Sequence, residues 1–380
     1  MNETIIVLCK GDFETLPSIR TVVIGLRSLG FSVKLVVSKI TSTNLAFLEA
    51  QGVSVRCLST LRGEHWVPGK IGEWLRFHQV AWGELAAAGD TLLWVGSADT
   101  ALALGLHLTA HRYVLQVNEL YDKVFRYKVP LGYLARRAAC VVVPERSRAA
   151  LLRYWFALDA TPNVLPNYPV VTDRRPRQEV PSNESRAIIG SLYAKGDPKI
   201  VMYQGHIAPD RDFRLVAKAV QELGHPWRFL AMGKDHGFIE SVRAVCPELV
   251  YVPPIASPAH LAVTSHAHIG VVTYATDSLN NLFCAPNKIW EYSCFSIPML
   301  CQDLPGLQST VGVMKAGICL DIDSTATAAA ALLSLDREYS TRTDAAGRMY
   351  DSVDILNLLT TIVEKASLLS NRSPIEQTAS

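Results

Sequence analysis

Short runs of consecutive apolar residues alternate along the chain with longer stretches that are apolar at every third or fourth position. Such runs, bounded by Gly, Pro and Asn, predict fully buried strands, and the stretches between them predict amphipathic helices. In the first half the predicted strands are 4–9, 31–37, 52–58, 91–95, 113–117 and 139–143. Helices are expected over about 18–29 and 71–88, the second with Ile71, Trp74, Leu75, Trp82 and Leu85 as its apolar set. Each crossover is long enough for a helix, as parallel strands require. A second series follows, with strands at 199–203, 227–232, 249–252, 269–273, 299–302 and 317–320 and a closing helix over about 355–369. Between the two series, residues 172–186 carry almost no apolar side chain and two prolines, which reads as a linker or exposed loop.

The expected organisation is therefore two α/β domains. The first is 1–170, 171–198 is a linker region, and the second is 199–354. A C-terminal helix covers 355–370, and 371–380 is a frayed polar tail. A length of 380 residues fits two cores better than one. Neither series opens with the G-x-G-x-x-G turn of a dinucleotide site, and no Walker pattern is present. A phosphate site has to be built in another way.

Composition narrows the classes. With 49% hydrophobic and 19% charged residues, the chain is a folded globular protein. Its net charge of +2 conceals 18 Lys+Arg against 13 Asp+Glu in residues 1–170, and 19 against 22 in the rest. That imbalance is too small to argue for nucleic acid. The eight cysteines form no C-x-x-C, no His cluster has zinc spacing, and no apolar run has the length of a membrane span. A cytoplasmic, metal-free protein is the expectation.

The chemistry concentrates in Asn280-Asn281-Leu282-Phe283-Cys284-Ala285-Pro286-Asn287-Lys288-Ile289-Trp290-Glu291-Tyr292. Pro286 fits the first position of a helix. The backbone N–H groups of Asn287 and Lys288 would then lie free in the first turn, as an anion site aided by the helix dipole. Glu291, one turn further along, would reach beside that anion and suits a ribose diol. An ordinary amphipathic helix with a solvated Glu and a surface Lys is the plainer alternative.

This stretch, with Ile297-Pro298-Met299-Leu300 and Asp303-Leu304-Pro305-Gly306 after it, resembles the donor-site signature of retaining GT-B glycosyltransferases. Family 4 is the closest in pattern, with P-N-K-x-x-E-Y and then G-x-P-V. Val201-Met202-Tyr203-Gln204-Gly205 is similar to the family's Y-x-G opening of the second domain. Val142-Val143-Pro144-Glu145 and Val164-Leu165-Pro166-Asn167 are similar to its V-x-S-E and V-I-P-N landmarks.

The resemblance implies two facing Rossmann-like domains with a cleft between them and a C-terminal helix that returns to the first domain. It also implies a substrate, not a cofactor: a nucleoside diphosphate sugar, UDP- or GDP-linked, whose sugar passes with retention to a hydroxyl acceptor in building a bacterial cell-surface polysaccharide or lipopolysaccharide. Glu291 matches the ribose-holding Glu. Arg211 falls where the family keeps a diphosphate-binding Lys, in the loop after Gly205, and His206 near a common Arg. His206 carries charge only if its pKa is raised. The family's second Glu, eight positions before Glu291, is Phe283 here, which leaves Asn280 or Asn281 for the sugar. On the acceptor side the usual His is missing from Asn118-Glu119-Leu120-Tyr121, so Glu119 is the candidate polar group there. Asp321-Ile322-Asp323 fits a metal-clamping D-x-D only as a string and reads as a strand end. An epimerase on the same fold, or a catalytically silent partner subunit, are the competing readings.

Residues 123–153 hold Lys123, Arg126, Lys128, Arg136, Arg137, Arg146, Arg148 and Arg153 against Glu145 alone, among Val124, Phe125, Tyr127, Leu131, Tyr133 and Leu134; Tyr154 and Trp155 follow. A basic and aromatic surface of that kind suits the anionic inner face of a cell membrane and a lipid-linked or glycan acceptor. A solvated helix face over a normal core is the competing explanation.

Overall fold

The computed structural model describes residues 3–60, 69–180, 182–194 and 196–368. The tail expected over 371–380 lies outside them. The chain divides into two compact units, Met1–Tyr168 with Asp354–Ser380, and Pro169–Val353.

Unit 1 is built on a seven-stranded parallel sheet. Its strands are β1 (Thr4–Asp12), β2 (Ser32–Ile40), β3 (Ser54–Thr60), β4 (Leu92–Val95), β5 (Tyr113–Gln116), β6 (Cys140–Val143) and β7 (Asn163–Val164). They lie in the order β3-β2-β1-β4-β5-β6-β7. Ile5, Val7, Leu8 and Cys9 have no exposed surface, because helices cover both faces of β1. Sequence patterning misses β7, since two residues between Pro162 and Pro166 carry no periodicity.

Helix Pro17–Ser28 begins with Pro at its first position and buries Ile19, Val22, Val23 and Leu26. Helix Ile355–Leu368 packs on it. A Cβ at Gly25 would stand 2.3 Å from Leu359 Cδ1, so glycine there lets the two helices approach closely. Lys365 Nζ also donates to Asn163 Oδ1 at 2.8 Å. The closing helix thus belongs to unit 1, although the chain reaches it through all of unit 2.

Unit 2 holds a six-stranded parallel sheet of β8 (Lys199–Gln204), β9 (Trp227–Met232), β10 (Val250–Val252), β11 (Ile269–Val272), β12 (Met299–Gln302) and β13 (Gly317–Leu320). The order is β10-β9-β8-β11-β12-β13. The chain builds outward from β8 on one side and then returns to lay β11 on the other, so the carboxyl ends of β8 and β11 form a topological switch point. Tyr203, Phe213 and Phe229 stack in series beneath it, with ring centroids 4.1 and 5.6 Å apart.

The stretch read as a linker is less open than expected. It contains helix Asn183–Leu192, capped by Ser182 and burying Ile189 and Leu192. Two buried aliphatics suffice to dock a ten-residue helix, while too few apolar positions precede them to reveal a helical period.

Candidate functional site

The residues singled out in unit 2 gather at the β8/β11 switch point because tight packing fixes the helix that carries them. Tyr292 is fully buried, its hydroxyl donates to Met202 O at 2.9 Å, and a Cβ at Gly270 would sit 2.4 Å from its ring. A Cβ at Gly306 would stand 2.4 Å from Cys284 O, so the Asp303–Gly306 turn lies directly on the chain entering the helix. The helix runs Asn287–Ser293 with Pro286 as its N-cap, one place earlier in the capping scheme than expected. Its first-turn N–H groups, those of Asn287 and Lys288 included, have no acceptor within the helix.

Glu291 is buried, not solvated. Its Oε2 accepts from Gln204 Nε2 at 2.5 Å, and its Oε1 lies 3.1 Å from His260 Nε2. Thr264 Oγ1 donates in turn to Gln204 Oε1 at 2.7 Å. The carboxylate is therefore aimed by a buried chain of hydrogen bonds, and each oxygen keeps a lone pair for a further donor. His260 Nδ1 is buried without a partner among the described residues.

Lys288 is not a surface lysine. Its Nζ is buried and makes no hydrogen bond among the described residues. It lies 4.1 Å from the Tyr203 ring centroid and 5.5 Å from that of Tyr274. Gly205, at φ +123°, presents bare backbone to it: a Cβ there would be 3.4 Å from Nζ. Burial, with the charge of Arg211 adding to it, pushes the ammonium pKa down to about 7, against the opposing effect of Glu291.

Arg211 ends the turn Pro209–Arg211 after β8, with its guanidinium 5.2 Å from the Tyr274 ring centroid. Among the described residues its Nε is buried without a hydrogen-bond partner, and an Asp210 carboxylate oxygen lies 3.9 Å away. His206 Nδ1 shares a proton with His236 Nε2 across 2.9 Å. Burial first, and then Arg211, His236, Lys288 and Lys234, hold His206 below the usual histidine range, so it is neutral at pH 7.

Gly205, His206, Arg211, Asn287, Lys288 and Glu291 thus share one locality in unit 2. Asn281 sits on the short helix Leu279–Leu282 with its side-chain amide donating to Asp277 Oδ1 at 3.0 Å. Asp321 accepts from Gln302 Nε2 at 2.7 Å, and Asp323 from Thr327 Oγ1 at 2.8 Å at the start of helix Thr325–Arg337. Among the described residues, no three His, Cys, Asp or Glu side chains converge as a metal cluster.

Glu119 lies in unit 1, after β5, half exposed and 3.7 Å from Arg148 Nη1. Arg148 is itself buried, and the same Nη1 donates to Asn118 O, which removes it from the cationic surface expected over 123–153. Of the remaining cations of that run, Lys123 precedes helix Phe125–Arg137 and the others lie on it and on helix Arg146–Phe156. Phe125, Val129 and Tyr154 stand out among them at 77, 66 and 84% exposure. No helix among the described residues is long and apolar enough to cross a membrane.

Sequence patterning did not find Gln204, His260, Thr264 or His236. A glutamine ending the buried run of β8 is the one signal available, because a polar group buried in a strand needs a partner.

No protein-family model and no curated protein matches the sequence. Solved structures do match in fold. HepE from Anabaena in complex with UDP and glucose has a TM-score of 0.71 at 10% identity, over 96% of this chain and 100% of its own. Sucrose-phosphate synthase from Thermosynechococcus elongatus has 0.64 at 14% identity, over 100% of both chains. A putative UDP-N-acetylglucosamine 2-epimerase from Listeria monocytogenes has 0.62 at 11% identity, over 98% of both. The fold of this chain is GT-B, two parallel-sheet α/β units with the closing helix typical of it.

Proposed function

We propose that the chain is a retaining glycosyltransferase of the family 4 type, with a UDP- or GDP-linked sugar as donor in unit 2. The observation that carries this reading is the pairing, on one short helix, of the unpartnered buried Nζ of Lys288 with the pre-aimed carboxylate of Glu291. A cation beside bare backbone at Gly205 suits a diphosphate, and an acceptor one turn along suits a ribose diol. HepE, of the same fold, holds UDP and glucose, which favours uridine.

In this mechanism Arg211 and Lys288 stabilise the nucleoside diphosphate as its bond to the anomeric carbon breaks. The acceptor hydroxyl attacks that carbon from the leaving-group face, and its proton passes to the departing phosphate oxygen. His206, neutral, supplies hydrogen bonds but no charge. Glu119 in unit 1 is the acceptor-side polar group, and Asn281 serves the sugar. The test is release of UDP or GDP from a panel of nucleotide sugars with candidate acceptors, with the anomer of the product read by NMR. Turnover with inversion, or none with any donor, overturns the reading.

Because protein cations neutralise the diphosphate, transfer should proceed unchanged with a strong chelator present. Complete loss of rate that magnesium or manganese restores would refute this arrangement.

The acceptor is a lipid-linked or growing glycan reached at the cytoplasmic membrane face, in the assembly of cell-surface polysaccharide or lipopolysaccharide. The exposed Phe125, Val129 and Tyr154 among Lys123, Arg126, Arg136, Arg137, Arg146 and Arg153 support this. Each cation that reaches an anionic surface contributes roughly 1 kcal/mol. Co-sedimentation with anionic vesicles is expected at low salt and should be lost at high salt, with neutral vesicles binding poorly throughout. Equal failure with both vesicle types points to a soluble acceptor.

A further inference from the structure

Among the described residues, Lys288 Nζ has no hydrogen-bond partner. Arg211, from the turn after β8, adds its charge beside the ammonium, and the ammonium in turn acts on His206, which Lys234 and His236 of the loop after β9 also face. Beneath it lie the thiols of Cys284 and of Cys301 on β12, and one turn along its own helix is Glu291. That carboxylate is already bonded to Gln204 and His260. The rings of Tyr203 and Tyr274 favour a cation, but less than water would. A buried ammonium with no hydrogen bond of its own and a guanidinium beside it sheds its proton readily.

Resting on the donor-site reading above, we propose that Lys288 gives up its proton when no donor is bound, and takes one up as the donor's diphosphate settles against Gly205. Nucleotide binding and protonation of this lysine are then one event. The diphosphate supplies the missing counter-ion, and the cost of holding a charge in this position is met only when the ligand is present. The free protein avoids a buried, unpaired ammonium beside Arg211, and a donor with a diphosphate is selected over a neutral sugar, which cannot call up the charge.

Two independent readouts test this. The first needs no ligand. The unfolded chain keeps Lys288 protonated up to its ordinary pKa, so between about pH 7 and 10 the unfolded state binds more protons than the folded one. Stability carried by this residue therefore rises with pH through that window and is lost as pH falls toward 7. The difference in Tm between wild type and Lys288→Met should become more favourable to wild type from pH 7 to pH 9.5. The second is calorimetric titration of UDP at pH 8 in HEPES and in Tris, whose ionisation enthalpies differ. Close to one proton should be taken up by wild type and His206→Asn, and almost none by Lys288→Met. The dissociation constant of wild type should rise up to tenfold per pH unit above neutrality. UDP binding without proton uptake, or uptake that survives Lys288→Met and vanishes in His206→Asn, overturns the proposal and leaves the donor reading standing. No binding of UDP or GDP at any pH overturns both.

Discussion

Arg211→Ala is expected to lower kcat by about a hundred- to a thousand-fold while weakening donor binding far less. Removing one preorganised donor from a developing oxyanion typically has an effect of that size. At this site Arg211 shares the developing charge with Lys288 once the donor is bound, so the loss should fall within that range. His206 is neutral at pH 7 and adds no charge. Asp210, 3.9 Å from Nε, is a loose ion-pair partner that makes no hydrogen bond to that nitrogen. Charge on the diphosphate grows as the glycosidic bond breaks, so the effect belongs to the transition state. Initial rates over a range of donor concentrations, set beside UDP affinity, check it. A KM effect with kcat intact would mean that Arg211 only holds the ground state. Arg211→Lys should recover part of the rate, since a point charge survives without the fork.

Glu291→Ala is expected to weaken UDP binding by about ten- to a hundredfold, the worth of hydrogen bonds to a charged acceptor. From the sequence alone the fold would be expected to ignore this change; the structure argues otherwise. The carboxylate is the acceptor for Gln204 Nε2 and for His260, so alanine leaves both unpaired in the interior. A stability loss of about 1–3 kcal/mol should accompany the loss of affinity. Glu291→Gln separates the two effects. Its amide oxygen can still accept from Gln204, and its NH2 can donate to the other tautomer of His260, so the fold should hold. The diol then meets a group with fewer free lone pairs and no charge, and the affinity should still fall. Denaturation midpoints and UDP titrations of the two variants decide the matter. Undiminished affinity in both would place the ribose elsewhere.

Much of the fold was legible because both sheets are parallel and doubly covered. Their strands read as unbroken apolar runs such as Ile5-Ile6-Val7-Leu8-Cys9. Asn163–Val164 and helix Asn183–Leu192 escaped for the same physical reason: tertiary contacts, not periodicity, hold elements with so few apolar residues. At the site, the spacing of Asn287, Lys288 and Glu291 marked the right helix, since one turn relates a cation to an acceptor in any helix. It could not show which way Lys288 turns. That depends on a glycine more than eighty positions earlier, on two tyrosine rings and on the depth of Tyr292 in the sheet. The bonds from Gln204 and His260 to Glu291 likewise join the end of β8, the segment after β10 and the helix Asn287–Ser293, and no local pattern encodes them.

The helix Ile355–Leu368, packed against Gly25 on the first helix of unit 1, has a consequence for biosynthesis. When Tyr168 leaves the ribosome, unit 1 has all its strands but lacks the cover for one face of helix Pro17–Ser28. All of Pro169–Val353 must be translated before that cover exists, which at roughly 5–20 residues per second takes on the order of ten seconds or more. During that interval an apolar strip is open to chaperones or to other nascent chains. The nascent protein should therefore be most vulnerable to proteases and to aggregation late in its own translation, when most of its length is already folded.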